Sequence, residues 1–131
     1  MKNTIFKLTE HVYYFSLLVL LILYLFPGSL IGYLLYGNLG QQPNLISNPI
    51  GTSINHLIFF SYITILAMTV RLRAKNILTN YRFILFISCV LEILHLIVPN
   101  RAFELYDLLA NFTGVVIILL VYSFLKWRKY F

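Results

Sequence analysis

The stretch that decides the fold is RFILFISCVLEILHLIV, residues 82–98, because it is apolar and long enough to cross a bilayer yet carries Glu92 in its interior. An ionisable side chain inside a membrane span is costly, usually faces a partner or a water-filled cavity, and marks a candidate functional site. His95 follows Glu92 by one helical turn, so the two side chains share a face. The segment therefore predicts a membrane helix with a polar site near its end.

The composition of the whole chain is typical of an integral membrane protein. Hydrophobic residues make up 60% of the 131 residues, charged residues only 11%, and the mean hydropathy is +0.85. This length accommodates one domain with about four spans of roughly 20 residues each. The lone cysteine, Cys89, excludes an internal disulfide, and its position in a span favours a packing role.

Four apolar stretches are predicted to span the membrane. They cover about residues 12–27, 54–70, 82–98 and 105–125. The predicted fold is all-α: a single polytopic domain, residues 1–131, built as a bundle of four transmembrane helices. Residues 29–36 are also apolar and either extend the first span or lie at the interface, whereas residues 37–53 are polar, uncharged and typical of an ordered loop.

The basic residues orient this bundle. With four spans, nine of the ten Lys and Arg residues fall on one face, and only Arg101 falls on the other. By the positive-inside rule we expect both termini to be cytoplasmic, in a protein of the plasma membrane. The net charge of +6 is then explained by topology, and no nucleic-acid partner is predicted. The nine residues are Lys2, Lys7, Arg71, Arg73, Lys75, Arg82, Lys126, Arg128 and Lys129.

This orientation places the unusual polar residues near the outer face. Asp107, Asn111 and Gly114 are spaced i, i+4 and i+7, which is one stripe of the fourth span. A short outer turn joins spans three and four, so this stripe can face the end of span three, and the glycine lets a neighbouring helix approach closely. The sequence thus predicts an outward polar pocket formed by His56, Glu92, His95, Arg101, Asp107 and Asn111.

Three motifs in this region resemble the signature of the VanZ-like membrane protein family. They are Glu92-Ile-Leu-His95, Val98-Pro99-Asn100-Arg101 and Asp107-Leu-Leu-Ala-Asn111-Phe-Thr-Gly114. The family typically shows Glu-x-x-Gln, Pro-x-Arg and Asp-x-x-x-Asn-x-x-Gly, with a histidine at the start of the preceding helix, where this chain has His56. The resemblance covers roughly residues 12–125, and its specific part is 92–114.

The chain departs from the family pattern at two positions. His95 stands where the family usually has Gln, and Asn55 lies where an Asp-Lys pair often precedes the histidine. The founding member of the family is linked to low-level resistance to teicoplanin-type glycopeptides. The resemblance therefore implies a role in glycopeptide susceptibility, but it implies no particular reaction.

Two functions compete for the pocket. In the first, it recognises an anionic cell-envelope lipid or a glycopeptide-related ligand, with Arg101 and the histidines contacting phosphate and Glu92 accepting a hydrogen bond from a sugar or hydroxyl. In the alternative, the protein is a membrane-embedded enzyme that acts on a lipid-linked phosphate or ester, with Glu92 and His95 as acid and base. The sequence shows no nucleophile motif or Gly-rich phosphate loop to support the enzyme, so binding is favoured.

Cofactors are not predicted. Glu92-x-x-His95 is half of a di-iron bundle motif, but the chain has only four acidic residues, too few for the other ligands. A mononuclear metal site using His56, His95 and Glu92 or Asp107 is a weaker hypothesis, and no metal is predicted. Membrane lipids are expected to surround the chain. Proton-coupled transport is a further variant, but four short spans make a thin transporter unless the chain forms a homo-oligomer, which is left open.

Structural roles are the competing explanation for each of these residues. Glu92 could be a neutral carboxylic acid hydrogen bonded to Asn111, with His95 completing the network. Arg101 and Asp107 could form an ion pair that only fixes the outer turn.

Overall fold

The computed structural model describes residues 2–43 and 51–128, which form five helices and, within those ranges, no strand. The helices are α1 (Lys2–Leu25), α2 (Leu30–Tyr36), α3 (Gly51–Arg71), α4 (Tyr81–Leu94) and α5 (Leu105–Arg128). The predicted all-α class is confirmed.

Three of these helices are long and apolar enough to cross a membrane. The candidate spans are Asn3–Leu25, Ser53–Arg71 and Leu105–Arg128, which supports the assignment of a membrane protein. Helix α4 has only 14 residues, so at 1.5 Å per residue it extends about 21 Å, less than the ~30 Å hydrocarbon core. The fourth crossing stays a prediction.

Two helix boundaries differ most from the predicted ones. Helix α1 begins at Lys2, well before residue 12, because the polar residues ahead of the apolar stretch continue the same helix. Helix α4 ends at Leu94 and not at residue 98. The following residues form turns, with the Val98 N–H donating to the Leu94 carbonyl at 3.2 Å. Pro99 comes next, and its ring disfavours the α conformation in the residue before it.

Residues 29–36 do not extend α1. The chain turns at Gly28, where φ is +81°, and α2 starts at the N-cap Ser29, whose side chain accepts from the Gly32 N–H at 2.9 Å. Gly37 ends α2 in the left-handed conformation, with φ 67°. The predicted loop over 37–53 is shorter than expected because Gly51 already belongs to α3, and its residues 44–50 lie outside the described residues.

Helices α1, α3, α4 and α5 pack against one another, and α3 with α5 is the tightest pair. Gly114 of α5 makes this approach feasible: a Cβ there would lie 2.5 Å from the Leu57 carbonyl oxygen and 3.2 Å from the Ser61 backbone nitrogen. The predicted close approach at Gly114 is confirmed. The core between the helices contains the fully buried side chains of Tyr13, Leu20, Phe60, Ile63, Ile84, Leu91 and Val115.

We expect Gly114→Ala to destabilise the protein by about 1–3 kcal/mol, because the new methyl group collides with backbone atoms of α3, which cannot rotate away. Gly40→Ala is the matched control, since a Cβ at Gly40 meets only the Asn38 Oδ1, at 3.4 Å. Thermal unfolding in detergent measures both. Equal melting temperatures for the two variants would show that the close approach of α3 and α5 contributes nothing to stability.

Candidate functional site

The polar residues meet at one end of the molecule, where α1 and α4 end and α3 and α5 begin. Tyr24, in the last turn of α1, contacts both His56 of α3 and Asn111 of α5. At the opposite end, Arg73 donates from Nη1 to Asn3 Oδ1 at 2.9 Å. The polar cluster and the basic residues of α3 and its following loop therefore lie at opposite ends of the molecule.

The hydrogen bonds of Asn111 define the protons in this cluster. Asn111 donates from Nδ2 to the Ser88 carbonyl of α4 at 3.2 Å, which leaves Oδ1 as an acceptor for the Tyr24 hydroxyl at 2.8 Å. His56 Nδ1 lies 2.6 Å from the Tyr24 hydroxyl and 3.2 Å from Asn111 Oδ1. Because the single tyrosine proton goes to Asn111, His56 Nδ1 must be the donor to both oxygens.

The other nitrogen of His56 faces a carboxylate. Its Nε2 lies 3.4 Å from Asp107 Oδ2, and its Nδ1 lies 3.9 Å from Glu92 Oε2. Ser53 donates to the second Asp107 oxygen, Oδ1, at 2.5 Å. Glu92 is fully buried and Asp107 is 4% exposed. One histidine thus stands between two buried carboxyl groups from different helices.

Glu92 is hydrogen bonded through only one of its oxygens. Its Oε1 accepts from the Glu104 N–H at 3.2 Å and lies 3.2 Å from His95 Nδ1, whereas Oε2 is buried with no hydrogen-bond partner. His95 donates from Nε2 to the Tyr24 carbonyl at 3.2 Å and stacks on the tyrosine ring at 5.3 Å. His95 therefore links the end of α4 to the end of α1.

Arg101 caps α1. It donates from Nη2 to the Leu23 carbonyl at 2.6 Å and from Nε to the Phe26 carbonyl at 3.5 Å, so its charge lies at the negative end of the helix dipole. Burial lowers the pKa of Arg101 below its usual value, and the neighbouring Tyr24 and Glu92 oppose this shift. In the described part of the chain the ion pairs all involve a histidine, so the Arg101–Asp107 pair considered as a structural alternative does not form.

A cavity of about 130 Å³ opens beside this cluster, between the end of α1, helix α2 and the start of α3. Of the six predicted site residues, His56, His95 and Arg101 line it, while Glu92, Asp107 and Asn111 are buried within the cluster. Its apolar lining consists of Leu20, Leu23, Leu30, Ile31, Pro43 and Phe59.

Sequence analysis missed Tyr24, Ser53 and α2 as parts of this site. Tyr24 is one of ten tyrosines and sits in an apolar stretch, so no local pattern distinguishes it. Its partners His56 and Asn111 are 32 and 87 residues away. Ser53 had the clearer signal, since a serine one helical turn before His56 could have been placed near Asp107.

Comparison with known proteins gives no significant match to a protein family, a curated protein or a solved structure.

We expect Asn111→Ala to lower the melting temperature strongly. The Tyr24 hydroxyl loses the acceptor of its proton and the Ser88 carbonyl loses its side-chain donor, and a buried unsatisfied group costs about 1–3 kcal/mol. Asn111→Asp should be no better, since its carboxylate cannot donate to Ser88. The control is Asn3→Ala, an exposed asparagine on α1, for which we expect a change within about 0.5 kcal/mol. Thermal unfolding in detergent tests this. Similar melting temperatures for Asn111→Ala and Asn3→Ala would show that the hydrogen bonds of Asn111 do not stabilise the helix packing.

Proposed function

We propose that this chain is a VanZ-like protein of the plasma membrane, with four spans and cytoplasmic termini, whose outward pocket recognises the head group of an anionic cell-envelope lipid. The observation that carries this proposal is the pocket itself: an apolar wall that ends on Arg101, His56 and His95. The protein would modulate glycopeptide susceptibility through that lipid.

The distribution of charge supports the proposed topology. Arg71, Lys75 and Arg82 lie at or next to the ends of α3 and α4 that are remote from the polar cluster. Lys126 and Arg128 occupy the last turn of α5, at the same end. The positive-inside rule then makes this end cytoplasmic and turns the pocket outward. The turns after Leu94 lengthen the path of α4 toward the outer face.

We expect single-cysteine labelling of intact cells to report this topology. In a Cys89→Ser background, an impermeant maleimide should label Gln42→Cys and not Lys75→Cys, because residue 42 borders the pocket and residue 75 follows α3 at the basic end. Permeabilised cells, in which both sites should react, provide the control. Labelling of Lys75→Cys but not Gln42→Cys in intact cells would reverse the proposed orientation.

The family resemblance gains support from the way its motif residues gather. His56, Glu92, Asp107 and Asn111 come from three helices, yet His56 lies within 4 Å of a polar atom of each of the other three. The turn that carries Arg101 lies against the end of α1 beside the same cluster. A motif whose members meet in space is more consistent with one function than with unrelated structural roles.

The pocket suits an amphiphile with a negative head group. Its volume is below the ~300 Å³ of a typical small-molecule pocket, so it would hold a head group and the first carbons of a chain and not a whole lipid. The α1 carbonyls engage Nε and Nη2 of Arg101, which leaves the Nη1 donors of the guanidinium for a phosphate oxygen. His56 and His95 add polar contacts, and Leu23 and Ile31 supply apolar wall.

Catalysis is the second candidate, because Glu92 and His95 form an acid–base pair at 3.2 Å. However, the Ser53 hydroxyl donates to Asp107 and the Tyr24 hydroxyl donates to Asn111, so neither gives its proton to a histidine. A serine nucleophile needs an adjacent base that takes its proton. Binding therefore ranks above catalysis.

We expect the purified protein to bind farnesyl phosphate and not farnesol, measured by native mass spectrometry from detergent. Ile31→Trp should block binding because the indole fills the pocket, whereas Tyr33→Trp on the exposed face of the same helix should not. Arg101→Lys keeps the charge but loses the planar fork and should weaken binding.

The scaffold explanation predicts a different outcome for the same variants. If Arg101 and Glu92 only support the fold, then the melting temperatures of Arg101→Lys and Glu92→Gln should fall in proportion to any change in the teicoplanin susceptibility of cells that carry these variants. If they serve the ligand, susceptibility should change while the variants still unfold cooperatively. Equal binding of farnesyl phosphate and farnesol would defeat head-group recognition.

A further inference from the structure

We propose that His56, Glu92 and Asp107 form a binding site for one divalent metal ion of the transition series, for which Zn²⁺ is the simplest probe. One ligand atom from each residue lies within 4.8 Å of the other two. The three residues come from α3, α4 and α5, so only the packed helices create the set. This inference goes beyond the proposed function and requires no lipid.

The position of the proton on His56 favours a cation at this site. Its Nδ1 is a donor, because the Tyr24 hydroxyl gives its own proton to Asn111. In the neutral ring, Nε2 then carries a lone pair that faces Asp107 Oδ2 at 3.4 Å. A lone pair and a carboxylate oxygen repel each other unless a cation lies between them. Either an added proton or a metal ion satisfies this contact, and neutral imidazole is the form that ligates metals.

The distance between His56 Nε2 and Asp107 Oδ2 also suits a metal ion. Two ligands held about 2.1 Å from a tetrahedral ion lie about 3.4 Å apart. The separation of His56 Nε2 from Asp107 Oδ2 has this value. Glu92 is farther away and must move inward by a rotation of its carboxyl group, which is a small adjustment for a side chain that reaches the cluster from α4.

An oxygen of Glu92 that has no hydrogen-bond partner also favours a cation. Its Oε2 is buried, has no hydrogen-bond partner and lies 3.9 Å from His56 Nδ1. An unpaired buried polar atom costs about 1–3 kcal/mol, and more when it is charged. The other oxygen, Oε1, accepts from the Glu104 N–H, so Oε2 is the oxygen that remains for a cation. A cation at the cluster would satisfy this unpaired carboxyl oxygen of Glu92.

His56 and Asp107 are also hydrogen bonded through the atoms that would not contact the ion. Protein metal ligands are commonly oriented by hydrogen bonds to their non-ligating atoms. Here His56 Nδ1 is held by Tyr24, and Asp107 Oδ1 is held by Ser53. His95 has no such free atom, since its two nitrogens contact the Tyr24 carbonyl and Glu92 Oε1. His95 is therefore assigned to the surroundings of the ion and not to its ligands.

The ligand chemistry restricts the ion. One imidazole nitrogen and two carboxylate oxygens suit Zn²⁺, Mn²⁺ or Fe²⁺ better than a soft copper ion, which prefers thiolate and thioether sulfur. Three protein ligands leave a position for water or for an oxygen of a bound anion. His56 also lines the cavity, which gives the ion a route to the buried carboxylates.

The test is metal binding by the full chain in detergent, after dialysis against EDTA and with no lipid added. We expect calorimetry and metal analysis to show one Zn²⁺ per chain, and Co²⁺ to give the intense visible absorption of a four-coordinate site. Glu92→Gln and Asp107→Asn should abolish this binding, because each loses a charged ligand. Tyr24→Phe removes an orienting bond and should weaken binding by about 10–100-fold.

Two control variants remove the same residue types outside the site. Glu104→Gln removes an exposed carboxylate at the same end, and His11→Gln removes an exposed histidine on α1. Both should keep one Zn²⁺ per chain. Zn²⁺ should also raise the melting temperature of the unmodified chain. This increase should vanish in Glu92→Gln and Asp107→Asn. A cooperative unfolding transition of these variants in EDTA shows that they fold.

Two results would overturn the site. One is an unmodified chain that binds less than one Zn²⁺ and shows no four-coordinate Co²⁺ spectrum, which means that protons alone satisfy the cluster. The other is unchanged binding in Glu92→Gln and Asp107→Asn, which means adventitious surface binding. If these variants do not fold, the Co²⁺ spectrum of the unmodified chain decides. Loss of lipid binding with metal binding intact would reject only the head-group proposal.

Discussion

The hydrogen bonds of the Tyr24 hydroxyl group are the interactions on which the rest of the structure depends. It joins α1 to Asn111 of α5 and to His56 of α3, and Asn111 in turn reaches α4 through the Ser88 carbonyl. Buried polar groups must find partners inside the protein wherever water is excluded. Sliding or rotating any one helix would leave several of these groups unpaired, so the network selects one register among the many that apolar packing alone would allow.

The residues of this network differ in how fully their polar atoms are paired. Arg101 and His95 each have well-defined partners on α1, and they close the end of that helix. Glu92 is different, because one of its oxygens is buried and unpaired within a network that is otherwise largely satisfied. Hydrophobic residues would stabilise this position at lower cost than a buried carboxylate beside a histidine. In the proposed function, this incomplete polar cluster would discriminate between ligands, and the apolar wall of the adjacent cavity would add affinity.

Several boundaries show how tertiary context changes local structure. Residues 29–36 are as apolar as the stretch before them, yet Gly28 turns the chain and Ser29 starts a new helix. That helix forms one wall of the cavity through Leu30 and Ile31. Helix α4 stops at Leu94, which frees His95 to turn back toward α1. Hydropathy could not indicate these endings, because it registers the apolar character of a segment and not the direction of its backbone.

The sequence by itself determined the helical class, the apolar segments and most of the polar site, because an ionisable or amide side chain in an apolar helix is conspicuous wherever it occurs. Glu92 with His95, and Asp107 with Asn111, were recognisable from spacing along single helices. Only the tertiary structure decided which of them meet, that Tyr24 joins them, and that Arg101 serves α1 and not Asp107. Spacing in sequence reports neighbours one turn apart, whereas the contacts of Tyr24 span 32 and 87 residues and exist only because four helices pack in one register.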